Sequence, residues 1–153
     1  MVAMNIVNLY ENYNKYFSSD SKYIFEKFSN VAAINNYKIY LIGGIVRDLL
    51  LDIKNLDIDI TVVGSAIEFA KLLEKAGLVK ILSVHEDFGT VKVETCGELQ
   101  SQNIDLASTR SEIYKRAGHL PTVGEIGCSL EKDVIRRDFR LNSLALSLNA
   151  TVG

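Results

Sequence analysis

The chain has 153 residues, of which 48% are apolar and 24% charged, with 17 basic side chains against 19 acidic ones. That is enough apolar material for one core and too little charge for a disordered chain, while a net charge of −2 excludes a protein that grips nucleic acid through an overall positive field. No apolar run approaches the ~18 residues of a membrane helix, and no basic stretch precedes an apolar block at the N-terminus, so the expectation is a soluble, cytoplasmic protein with no membrane partner.

Residues 1–18, rich in Asn and Tyr, lack a clean period and read as an N-terminal arm. From Asp20 onward Ile24, Phe25, Phe28, Val31 and Ala32 recur at helical spacing, with Ser19 or Asp20 as the cap, which predicts an amphipathic helix ending near Asn35 and Asn36. Lys38 to Ile42 has the pattern of a short buried strand and runs through Gly43 and Gly44 into Val46, Leu49 and Leu50, a strand, glycine turn and helix. Residues Asp57 to Val63 alternate with period two, which sets Asp57, Asp59 and Thr61 on one face of a half-buried strand and Ile58, Ile60 and Val62 on the other. Ser65 and Glu68 form a capping box ahead of a helix through Phe69, Leu72, Leu73 and Ala76, stopped by Gly77.

Two further strands are expected at Gly89 to Thr95 and Asn103 to Ala107, followed by a long irregular stretch containing Gly118, Pro121, Gly124 and Gly127. Ser129 can cap a helix through Ile135, and Leu141, Leu144, Ala145 and Leu148 mark a final amphipathic helical turn or two. No linker, repeat or composition shift divides residues 19–153, so one domain is expected. Strands and helices interleave without strict βαβ repetition, which predicts an α/β (α+β) fold with a mixed sheet of about five strands carrying packed helices.

Several residues carry candidate chemistry. On a strand, Asp57 and Asp59 would project from one face about 6.6 to 7 Å apart along the backbone, near enough to converge on one cation or bracket two. Two-metal phosphoryl-transfer sites hold ions about 3.5 to 4 Å apart, which such a pair can do, although a solvated acidic strand face has the same pattern. Gly43 and Gly44, at a strand-to-helix turn, expose backbone amides that favour a phosphate, and Arg47 adds a charge-assisted contact. The turn lacks the Lys-Ser/Thr of a Walker loop and the third glycine of the dinucleotide fingerprint. Asp105, flanked by Ile104 and Leu106, would point outward as a third carboxylate, a metal ligand or a group that helps deprotonate a hydroxyl. Arg136, Arg137 and Asp138 make a compact charged cluster able to bind phosphate bidentately. His85 and His119 each stand alone and read as solvated histidines, and Cys96 and Cys128, with no CxxC, read as inert reduced thiols.

Taken in order, the motifs are Leu41-Ile42-Gly43-Gly44-Ile45-Val46-Arg47-Asp48, Asp57-Ile58-Asp59, Phe88-Gly89-Thr90 and Ile104-Asp105-Leu106-Ala107-Ser108-Thr109-Arg110. Gly118-His119-Leu120-Pro121-Thr122-Val123 and Arg136-Arg137-Asp138-Phe139 with Asn142 follow. Over residues 20–149 this series resembles the catalytic head of the class II transfer-RNA nucleotidyltransferase (CCA-adding enzyme) and bacterial poly(A) polymerase family. The resemblance implies a polymerase-β-like nucleotidyltransferase head. It implies that Asp57 and Asp59 bind two magnesium ions, with Asp105 as a third acidic position, and that Gly43, Gly44, Arg47 and Arg137 bind the nucleotide. It further implies transfer of AMP or CMP from ATP or CTP to an RNA 3′-hydroxyl, that of transfer RNA, with release of pyrophosphate.

Against this pattern, the neck, body and tail domains that follow the head in family members are missing after Gly153, and Arg140 stands where a small residue is usual. The expectation is that metal and triphosphate binding persist while base choice and RNA grip need a partner or the missing C-terminal domains. Two other readings stay open: a nucleotide-binding module without independent turnover, and an interaction subunit that pairs with a protein partner or a second copy through its C-terminal helix.

Overall fold

A computed structural model describes residues 10–54, 57–113, 120, 122–136 and 145–149. At its centre lies the alternating segment, now strand β2 (Asp59–Val63), with Ile60 and Val62 wholly buried. On one side β2 pairs antiparallel with β1 (Lys38–Ile42), and on the other it runs parallel to β5 (Asn103–Ser108). β4 (Thr90–Thr95) and β3 (Val79–His85) continue the sheet antiparallel beyond β5, and β8 (Ala145–Ser147) closes the far edge against β1. Among the described residues the order is β3-β4-β5-β2-β1-β8, a mixed sheet of six strands where about five were expected.

Helices cover one face of this sheet. α2 (Ser19–Ile34) and α4 (Ala66–Lys75) lie against Ile39, Leu41, Ile60, Val62, Val93, Ile104 and Leu106, which are all buried. The capping box behaves as expected, since the Ser65 hydroxyl accepts from the Glu68 N–H at 3.2 Å. α2 starts one residue earlier than expected because Ser18 is the cap, its hydroxyl accepting from the Ser21 N–H.

Part of the expected arm is helical: α1 (Tyr10–Tyr16) packs through Tyr13 and Phe17, whose rings meet Phe25 at 6.2 and 5.1 Å. Burial and nearby Glu26 push the Tyr13 phenol up to about 12, as expected for a hydroxyl held against an apolar cluster. Tyr16 donates to the Ile53 carbonyl at 2.7 Å, tying α1 to the chain just beyond α3 (Gly44–Leu50).

Three further segments depart from the expectation. β3 escaped the period-two reading because its register shifts between Ile81 and Ser83, so its apolar residues do not keep one parity. The stretch expected to be irregular contains a hairpin-like pair, β6 (Arg110–Ile113) and β7 (Thr122–Ile126), also with a register shift. The final segment is not helical where it is described: Ala145–Ser147 forms β8, and Leu146 and Leu148 pack against the core. Asn149 fixes this edge by accepting from the Ile39 N–H and donating to the Tyr37 carbonyl, at 2.8 and 2.9 Å. The helical face expected to recruit a partner is therefore absent there; Leu141 and Leu144 lie outside the described residues.

Candidate active site

The strand pairing dictates what meets on the face opposite α2 and α4. Asp59 lies opposite Asp105, and Asp105 opposite Lys92, so two carboxylates and an amine form one row across β2, β5 and β4. This is the pleat at work: neighbours at Ile60, Leu106 and Val91 go to the core, and the polar set goes the other way. The row floors an open cleft of about 530 Å³, which is also lined by Ile42, Thr61, Ser83, His85, Thr90 and Ala107.

Asp57 precedes the strand rather than belonging to it, because β2 begins at Asp59. Its charge still reaches Asp59. The Asp59 carboxyl is raised above its ordinary range, first by burial against the cleft floor, then by the charge of Asp105, a hydrogen bond with the Asp105 carboxyl, and the charge of Asp57; Lys92 opposes the rise. Asp59 keeps an exposed outer edge, so this burial is partial. Lys92 Nζ stands 3.8 Å from Asp105 Oδ1, with half of each side chain in solvent. Among the described residues lining the cleft, the carboxylates outnumber the one lysine, and hard oxygen donors in that condition suit a divalent cation. Among the described residues no three His, Cys, Asp or Glu side chains form a self-contained metal cage, so a cation here would complete its shell with water or ligand oxygens.

The glycine turn lies beside these acids. Since Leu41 pairs with Ile60 across antiparallel strands, Ile42 runs alongside Asp59 and the chain then turns at Gly43. Gly43 adopts φ 89° and ψ −135°, a conformation that side chains disfavour. At Gly44 an added Cβ would stand 3.4 Å from an Arg47 terminal nitrogen, so the missing side chain lets the guanidinium lie against the turn. Arg47 is anchored through Nε to Asp48 at 3.1 Å, and Asp48 is buried. Arg137 lies outside the described residues, as do His119 and Pro121; the chain resumes at Ala145, opposite Ile42 at the same end of β1.

Other motif residues turn out to be architectural. Gly89, at φ +65°, has no room for a side chain, since a Cβ would approach Ser108 Oγ and Ile126 Cγ2 to 2.9 Å. Ser108 donates to the Gly89 carbonyl at 2.7 Å and accepts from Ala66 N–H at 2.8 Å, joining the β4 entry to the start of α4. Thr109 donates to the Cys128 carbonyl at 2.6 Å. Arg136 is absorbed by structure as well: its Nε pairs at 3.1 Å with fully buried Asp133 of α5 (Leu130–Ile135), and its Nη1 lies 3.6 Å from Glu112. Asp133 also accepts from the Arg110 N–H at 3.0 Å, so α5 and β6 are locked together.

Sequence reasoning missed three cleft residues. His85, taken for a solvated turn histidine, is the exposed end of β3 and faces the cleft with Ser83 and Lys92. The parity of Val91 and Val93 could have assigned Lys92 to the polar face, whereas the shift in β3 left no periodic signal for His85 or Ser83.

Comparison with known proteins agrees with this architecture. Residues 39–152 match the family model described as the poly(A) polymerase head domain. An A-adding tRNA nucleotidyltransferase of Geobacter sulfurreducens is 44% identical over 112 residues, which is 73% of this chain and 12% of that protein. A CCA-adding enzyme in an apo form superposes with TM-score 0.83 at 32% identity, covering 97% of this chain and 34% of that one. A CCA-adding enzyme in complex with CTP superposes with TM-score 0.74 at 30% identity, covering 97% of this chain and 31% of that one. The chain thus spans between 12% and 34% of the length of these relatives. With its mixed sheet, its aspartate row and its glycine turn in this arrangement, the chain belongs to the poly(A) polymerase head-domain family, the family of the class II tRNA nucleotidyltransferase heads.

Proposed function

We propose that this chain is a nucleotidyltransferase head that moves AMP or CMP from ATP or CTP to the 3′-hydroxyl of an RNA, that of tRNA, and releases pyrophosphate. The observation that carries this reading is the in-register row of Asp59 and Asp105 beside the Gly43-Gly44 turn and Arg47. Asp57 and Asp59 would hold two magnesium ions, which would supply charge neutralisation on the attacking and leaving oxygens. Gly44 and Arg47 hold the triphosphate, Arg47 being aimed by its bond to Asp48. Asp105, whose strand position is opposite Lys92, would take up the proton of the attacking hydroxyl. Arg137 is assigned to the nucleotide on motif grounds. Base selection and most of the RNA grip fall to protein outside this chain, because the net charge of −2 supplies no broad basic surface.

The test is calorimetric titration with CTP and ATP, with and without magnesium, together with extension of a tRNA lacking its 3′ end. Magnesium-dependent binding of both nucleotides is expected, and Asp59→Ala should abolish it while the fold persists. Arg47→Ala should weaken ATP and CTP alike. Absence of binding in the parent chain, or unchanged affinity in Asp59→Ala, would overturn the reading. Binding without extension would make the chain a head that depends on an RNA-holding partner.

A further inference from the structure

The sheet order separates the cleft into two flanks about the carboxylates of β2 and β5. Beyond β2 on one side lies the end of β1, which leads into the glycine turn to which the proposed function assigns the triphosphate; on the β4–β3 flank Lys92, Ser83, Thr90 and His85 line the cleft. The pairing puts Ser83 opposite Lys92 and His85 opposite Thr90, so these side chains share the face that carries Asp59 and Asp105. Resting on the nucleotidyl-transfer reading, we propose that Lys92, Ser83 and His85 form the docking strip for the backbone phosphates of the RNA 3′ end.

The argument follows from the geometry of displacement. Attacking and leaving oxygens lie on opposite sides of the phosphorus, so a triphosphate held on the β1 flank requires the hydroxyl to arrive from the other flank. Adjacent strands are about 4.8 Å apart, which sets Lys92 one strand and His85 two strands, roughly 10 Å, beyond Asp105. An RNA strand whose terminal hydroxyl reaches Asp105 must lay its last phosphates over that distance. The strip offers an ammonium, a hydroxyl and an imidazole there, all donors to phosphate oxygen.

Two further features suit this role. The Lys92–Asp105 pair is long at 3.8 Å and half in solvent, so it opens at little cost once Asp105 is otherwise engaged. A chain with net charge −2 also needs a local basic patch for any polyanion, and this strip lies at the carboxylates themselves. Serine and histidine at these positions contribute nothing to the core, since both are exposed.

The experiment measures binding of a fluorescent single-stranded RNA oligonucleotide across a salt series, with CTP affinity in magnesium measured in parallel. Lys92→Gln should weaken RNA binding about 3- to 10-fold and lower the salt slope by about 0.7, the loss of one phosphate contact. His85→Asn should act in the same direction, and CTP affinity should stay within about twofold in both, as for groups on the opposite flank. CTP binding with unchanged RNA affinity and slope in both variants would overturn this proposal alone. A fall in CTP affinity matching the fall for RNA would assign the strip to the triphosphate and overturn it too. Failure of the parent to bind CTP would instead strike the nucleotidyl-transfer reading.

Discussion

The two faces of one sheet are made of alternate residues on the same strands, and they do opposite work. Ile60, Val62, Val91, Val93, Ile104 and Leu106 face the helices and are buried, whereas Asp59, Lys92 and Asp105, one step away in sequence, stay exposed. The covered face supplies stability through packed apolar area. The open face gathers like charges and raises the Asp59 carboxyl, which works against stability. The contrast shows a site placed where the fold has least to gain from it, yet positioned by the rigidity of the face behind it.

Four substitutions sharpen or break this contrast. Leu106→Ala, on the wholly buried face, should cost about 2 to 5 kcal/mol in denaturant unfolding, since the cavity lies between α4 and the sheet. A cost near that of a surface change would mean the covered face is not the stabilising one. Gly89→Ala should cost about 1 to 3 kcal/mol, because the left-handed backbone and the contact with Ser108 both oppose a Cβ; a neutral result would deny the Gly89–Ser108–Ala66 link its structural role. Ser65→Ala should cost about 1 kcal/mol through loss of the α4 cap, read as a lower midpoint with unchanged slope.

The smallest effect has the reverse sign. The native Asp59 carboxyl binds its proton more tightly than the ordinary 3.8, so stability falls as pH rises through that interval, and at pH 7 the whole cost is present. Asp59→Asn should therefore raise Tm slightly at pH 7 without divalent cations, and the gain should fade as the pH drops below the ordinary carboxylate range. A lower Tm at neutral pH would show that the carboxylate is compensated after all.

Much of this was legible locally. The strand at Lys38–Ile42 and the helix capped by Ser65 appear where periodicity and capping put them, because their signals span a few residues. The outward turn of Asp105 was readable from its apolar neighbours for the same reason. β3, β6 and β7 were not, since register shifts break the alternation, and β8 was read as helical because its apolar spacing fits either period. Arg136 and Arg137 are adjacent in sequence and alike in type, and only the packing of Asp133 and Glu112 reveals that the first is consumed in structure.

By itself, the sequence determined the alternation that divides core from cleft, the starts of α4 and α5 set by Ser65 and Ser129, and the motif series that marks the family. Only the tertiary structure decided that Asp59 stands opposite Asp105, that Lys92, Ser83 and His85 line the same cleft, and that Ser108 and Thr109 serve the framework. The physical reason is one of range: a pleat or a cap is fixed by neighbours along the chain, whereas strand order and register depend on pairing between segments tens of residues apart.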